Sequence, residues 1–158
     1  MIVVQKEAWM CWAAVLEAWL KVTKGMRGEW DQETLAQNSD YLKDLSSAGA
    51  PTHSSDPNLF LKLLNDPILN IRMQISQSNT AQTVDYYYRL IRDRGYLFVV
   101  YTLPGGRACH ANLVYGADTD YDFLNVMNPS PGAGLQTRRP TELTGPLVVG
   151  YREYSMLP

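Results

Sequence analysis

Cysteine and histidine are scarce in this 158-residue chain, with two of each. Two cysteines allow one disulfide at most, so no disulfide framework staples the fold. No Cys/His spacing resembles that of a zinc site, and His53 lies alone in a polar Pro/Ser stretch; no metal and no cofactor is assigned. An excess of one charge is also lacking. Fourteen Lys and Arg stand against 16 Asp and Glu, and a net charge of −2 gives no electrostatic case for a nucleic acid or an anionic membrane as partner. No apolar run approaches the ~18–20 residues of a membrane span, and Met1-Ile2-Val3-Val4 does not read as a signal peptide. What remains is ordinary globular composition, 46% hydrophobic and 19% charged. One domain over 1–158 is expected, large enough to bury a core.

Its first half, 1–95, reads as mainly helical. Trp12, Val15, Leu16, Trp19 and Val22 recur at helical spacing, and Gly25 stops that helix. Asp31 is placed to cap a short helix running to Gln37, with Trp30 before it as packing. Residues 46–55 read as a loop, and Pro57 opens a helix through Leu64. Ile71, Met73 and Ile75 alternate as a short strand. A helix of about 14 residues then follows Thr80, with Val84, Tyr87, Tyr88 and Ile91 on its inner face. The second half, 96–158, changes character. Tyr96–Leu103, Ala108–Ala117, Tyr121–Met127 and Pro146–Tyr154 are rich in Val, Tyr, Phe and Leu and bounded by turn residues. Asn128–Pro140 reads as a Pro/Gly-rich loop. Helices first and antiparallel strands later predict an α+β domain with the helices packed on one side of the sheet.

Cys11 begins the first helix, where unpaired backbone N–H groups and the positive end of the helix dipole favour an anion. A thiolate is such an anion, which makes Cys11 a candidate nucleophile; a small buried apolar residue is the alternative reading. Cys109 neighbours His110 on a strand, so the pleat turns it to the opposite face and it is not expected to meet Cys11. A turn centred on Thr119 pairs Ala117 with Tyr121 and His110 with Asn128. Opposed residues share a face with Cβ atoms about 4.5–5.5 Å apart, which favours Asn128 over Asn112, Asp118 or Asp122 as the partner of His110.

Gln5, six residues before Cys11, the run Cys11-Trp12-Ala13, the downstream His110 and Asn128 together resemble the papain-like cysteine peptidases. The Asn128-Pro129 step is similar to the compact bacterial branch, which includes staphopain-like, bacteriocin-leader-processing and secreted effector peptidases. The resemblance implies a papain-like fold, with the nucleophile's helix facing a sheet that supplies the histidine. It also implies a catalytic triad. Cys11 would attack, His110 would shuttle the proton, Asn128 would orient His110, and the Gln5 side chain with the Cys11 backbone N–H would form the oxyanion hole. The expected activity is peptide-bond hydrolysis on a protein or peptide substrate, with Cys11 ionised and His110 protonated in the active form. An amidase or acyltransferase of the same fold, or a catalytically silent binding module, are the alternatives.

The short lead before Gln5 suggests a released module. The expectation is a bacterial toxin or effector domain, delivered into a target cell's cytoplasm as part of a larger secreted protein and neutralised by an immunity or inhibitor protein. A processing peptidase is the rival. Arg138-Arg139 reads as a solvated pair that could meet an acidic substrate.

Overall fold

The computed structural model describes residues 1–7, 10–24, 30–38, 71–105 and 109–153. Helix α1 spans Cys11–Lys24 and α2 spans Gln32–Asn38. Strand β1 (Met73–Ser78) precedes α3 (Val84–Arg94), and β2 (Leu97–Thr102), β3 (Cys109–Asp118), β4 (Phe123–Asn128), β5 (Gly134–Arg138) and β6 (Thr144–Arg152) follow. A 3-10 turn, Pro140–Glu142, joins β5 to β6. The expected loop at 46–55 with His53, the helix at 57–64, and the stop at Gly25 lie outside the described residues.

These strands form one antiparallel sheet in the order β1-β6-β2-β3-β4-β5. The sheet is covered on both faces, which corrects the expectation of helices on one side. Phe98, Val100, Ala111, Leu113, Met127 and Val148 pack with α1 and with Leu35 of α2. Leu97, Val99, Val114, Val126 and Val149 point the other way, onto Tyr87 of α3. Double coverage explains why β2 is buried along its whole length and reads as an unbroken apolar run without alternation. The short strand expected around Ile71, Met73 and Ile75 is β1, which pairs with β6 and forms one edge of the sheet.

Helix α1 is a core element. Every residue from Cys11 to Leu20 is buried, and the Trp19 indole N–H donates to Tyr96 O at 2.9 Å, tying the helix to the start of β2. Its one buried charge, Glu17, is matched by the Lys21 ammonium one turn on and by the Gln32 backbone N–H at 2.9 Å. Buried carboxylates persist only when paired in this way. Asp31 caps α2, its Oδ1 accepting from the Thr34 N–H at 2.8 Å. Thr83 caps α3 through the Tyr86 N–H. On α3 the inner residue is Tyr87, with Tyr86 packed beside it, while Tyr88 is exposed, contrary to its assignment to the inner face.

The β3–β4 hairpin turns through 119–122, with Asp118 Oδ1 accepting from the Asp120 and Tyr121 N–H groups, both at 3.0 Å. Its ladder opens with Asp118 opposite Phe123 and Ala117 opposite Leu124, then slips at Tyr115, so that Val114 meets Val126 and Leu113 meets Met127. The pairing of Ala117 with Tyr121 and His110 with Asn128 is therefore incorrect: the turn is longer than expected, and a bulge lies between turn and site. Residues 128–140 also contain β5, which pairs with β4 where a loop was expected.

Candidate active site

The backbone enters α1 through a turn in which the Met10 N–H donates to Glu7 O at 3.0 Å, and Cys11 is the first helical residue. Cys11 is 5% exposed and shares its cluster with Ala111 and Met127. The two cysteines are both free, in line with the expectation that they do not meet, but Cys109 packs against the same cluster as Cys11 and not on a face away from it. The pleat does separate Cys109 from His110, but α1 sits on the Cys109 face of the sheet. Burial pushes the Cys11 thiol above its ordinary value; hydrogen bonds from the backbone at Ala111, Trp12 and Cys11 itself oppose the rise without cancelling it, and Cys109 adds to it. Desolvation thus acts against the charged thiolate, in the opposite sense to the helix-end field. Ala111 immediately follows His110, so the thiol lies against the backbone that carries the histidine.

His110 Nε2 is 2.9 Å from Asn128 Oδ1. The same Oδ1 accepts from the Ser130 backbone N–H at 3.0 Å. A backbone N–H can only donate, so the amide orientation is fixed and Nε2 must carry the proton. Nδ1 is then the basic ring nitrogen. The Asn128 amide N–H donates onward to Gln136 Oε1 at 3.3 Å, which also accepts from Arg138, and Arg138 reaches Glu142 at 3.2 Å. Ser130 Oγ lies at 3.5 Å from Nε2, a looser contact. Beneath the imidazole, the Tyr101 ring meets it edge-on with centroids 5.9 Å apart. Burial lowers the His110 pKa below the ordinary imidazole value, the Asn128 bond partly offsets this, and the Arg138 charge adds to the lowering. Asn112, the competing partner, is fully buried and donates to Tyr101 Oη at 3.3 Å.

Gln5 sits in the extended segment before α1, and its backbone N–H donates to Pro129 O at 2.9 Å, one residue beyond Asn128. On its other side stands Gln32, the first residue of α2 and only 2% exposed. Gln32 Nε2 donates to Val4 O at 2.9 Å, and Gln32 Oε1 accepts from the Lys6 N–H at 2.8 Å. Leaving such a buried amide unpaired costs about 1–3 kcal/mol, so the two bonds commit its side chain to this segment. Lys6 and Glu33 close the outer side with an exposed ion pair at 2.9 Å.

Gln5 is thus tied to the Pro129 backbone, next in the chain to the Asn128 that holds His110, and the Cys11 thiol lies against the backbone at Ala111, the residue after His110. Gln32, Gln136 and Ser130 were not anticipated from the sequence. A glutamine just after a cap reads as a solvated first-turn residue, and Gln136 lies in what reads as a loop. Among the described residues no group of His, Cys, Asp and Glu side chains could hold a metal ion, and no described helix is long and apolar enough to cross a membrane.

No protein-family model matches the sequence, and no curated protein matches it. Solved structures do match in shape. The peptidase domain of Streptococcus ComA, a bi-functional ABC transporter involved in a quorum sensing pathway, superposes with a TM-score of 0.62 at 17% identity, over 96% of this chain and 98% of that one. A double glycine motif protease from an AMS/PCAT transporter, in complex with its leader peptide, gives 0.58 at 13% identity, over 97% and 91% of the two chains. The peptidase domain of Streptococcus mutans ComA gives 0.54 at 15% identity, over 96% and 98%. The fold is papain-like. The match runs along nearly the whole chain.

Proposed function

We propose that this chain is a cysteine peptidase that cleaves peptide bonds through a thioester at Cys11. The observation that carries the reading is the hydrogen bond from His110 Nε2 to an Asn128 oxygen whose orientation the Ser130 N–H fixes, leaving Nδ1 as a base. The thiol resting against the backbone of Ala111 supports Cys11 as the group this base serves. Likeness of fold to two ComA peptidase domains and to a protease bound to its leader peptide supports a peptide as substrate.

In the proposed cycle the Cys11 sulfur attacks the scissile carbonyl while its proton passes to His110 Nδ1. The carbonyl oxygen becomes an oxyanion, held by the Gln5 side-chain amide and the Cys11 backbone N–H. Collapse breaks the C–N bond, the imidazolium returns its proton to the departing amine, and the acyl group stays on sulfur as a thioester. Water, deprotonated by Nδ1, then attacks that thioester. The carboxylic acid leaves and the thiol is restored. Asn128 holds the ring through both halves, and its link to Gln136 and Arg138 holds Asn128.

The test is to incubate the protein and its Cys11→Ala variant with a cell lysate and identify new peptide N-termini by mass spectrometry. New termini in the wild-type sample alone are expected. Identical termini in both samples would remove the peptidase reading.

A further inference from the structure

We propose that Gln32 is a positioning residue for the oxyanion hole, setting the direction of the Gln5 side chain; this rests on the proposed role of Gln5. The Val4 carbonyl and the Lys6 N–H belong to the two peptide units that flank the Gln5 Cα. One side-chain amide grips both, at 2.9 and 2.8 Å. Fixing the planes on either side of a Cα fixes both of its backbone dihedrals, and hence where its Cβ points. A third bond, from the Gln5 N–H to Pro129 O, anchors the same residue to the loop that holds Asn128.

The chemistry of the grip needs a primary amide at this length. It must donate to a carbonyl and accept from an N–H at once, as a neighbouring strand would. Glutamate offers no donor when ionised, methionine offers neither group, and asparagine is one methylene short. The grip is also tied to the nucleophile's helix. The Gln32 backbone N–H donates to Glu17 Oε2 at 2.9 Å, and Glu17 lies on α1, which begins at Cys11. Glu17 and Gln32 are 7% and 2% exposed, so the links between helix, clamp and Gln5 backbone run through the interior. An interior filled only for packing has no need of an amide, which must be desolvated to enter it. The arrangement instead gives the hole's side-chain donor and the attacking sulfur a common frame.

The experiment compares two reactions at Cys11, each read by mass spectrometry of the Cys11 peptide. Acylation by p-nitrophenyl acetate passes through an oxyanion, whereas alkylation by iodoacetamide does not. Gln32→Met should slow acylation by about 10²-fold, the order lost when a reacting group is misplaced by about an ångström, and leave alkylation unchanged. In a Gln5→Ala background Gln32→Met should add no further loss, because a residue that acts through another has nothing left to act on. Gln32→Glu keeps the size and the acceptor for Lys6 and should give a smaller loss with the same selectivity; it carries the comparison if Gln32→Met does not fold. Equal losses in both reactions, or a further loss in the Gln5→Ala background, would make Gln32 merely structural and overturn the proposal. If Gln5→Ala slows acylation and neither Gln32 variant does, the positioning role alone fails. If Gln5→Ala leaves acylation unchanged, the oxyanion-hole reading of Gln5 fails and the positioning role with it.

Discussion

Asn128 reaches His110 on the diagonal. Continuing the ladder past Leu113 and Met127 puts Asn112 opposite Asn128, yet Asn128 Oδ1 lies 2.9 Å from His110 Nε2. The bulge at Tyr115 makes this possible. Without its one-residue slip the register set at the turn would bring Asn128 opposite Leu113, on the α1 face and away from the imidazole. Diagonal neighbours are farther apart at Cβ than direct ones but remain within reach of long side chains.

Two asparagines near one histidine should therefore separate cleanly. Asn128→Ala should lower turnover by roughly 10²-fold while leaving measurable activity, since the base remains but its ring is no longer held. Asn112→Ala should lower the melting temperature, because it removes a partner from the buried Tyr101 hydroxyl, and should largely spare turnover. Steady-state kinetics and thermal melts on both variants check this; the reverse pattern would reassign the orienting role to Asn112.

Gln5→Ala should reduce turnover by roughly 10²–10³-fold with iodoacetamide alkylation of Cys11 intact, because the hole holds charge that exists only in the transition state. A parallel loss of alkylation would show that Gln5 organises the nucleophile's segment instead.

The pH dependence follows from two opposite shifts. His110 is lowered, so its neutral, basic form survives to a more acidic pH than a free imidazole, and the acid limb of activity should fall below about pH 6.5. Cys11 is raised, so alkylation should climb only above the ordinary thiol value of about 8.5. Stability has the matching signs. The lowered His110 gives stability that is present above the ordinary imidazole value and lost as pH falls through its folded value; the raised Cys11 gives stability that is present below the ordinary thiol value and lost as pH rises through its folded value. Rapid alkylation at pH 6 would instead identify a thiolate–imidazolium resting pair.

In the core, Leu16→Ala should cost about 2–5 kcal/mol, since Leu16 is fully buried on a helix enclosed by the sheet, α2 and the N-terminal segment. Urea denaturation measures it, and a loss near that of a surface substitution would contradict the packing of α1.

Strongly periodic or apolar stretches were legible in the sequence, and so were capping residues. The stripe from Trp12, the Asp31 cap and the Val/Tyr-rich runs of β2 to β4 each fall on the element they suggest, within a residue or two. Strand β5 was hidden because it is an edge strand with exposed alternate residues, and Gly134 at its start, just after Gly132, outweighs its short pattern. The bulge at Tyr115 leaves no mark in composition, so the hairpin register could not be counted back from the turn. Gln32 stayed invisible because only the fold brings the segment before α1 against the start of α2. The thiol's direction of shift was missed for a related reason: burial on all sides of Cys11 is a tertiary property, whereas the helix start that favours an anion is a local one.

The central claim, that Cys11 is a nucleophile served by His110, is tested most directly by mixing p-nitrophenyl acetate with the wild type and with His110→Ala at neutral pH and locating the acyl group by mass spectrometry. Rapid acetylation of Cys11 is expected in the wild type and its near loss in His110→Ala, with Cys109 unmodified in both. Equal acetylation of Cys11 with and without the imidazole, or a label carried by Cys109, would contradict it.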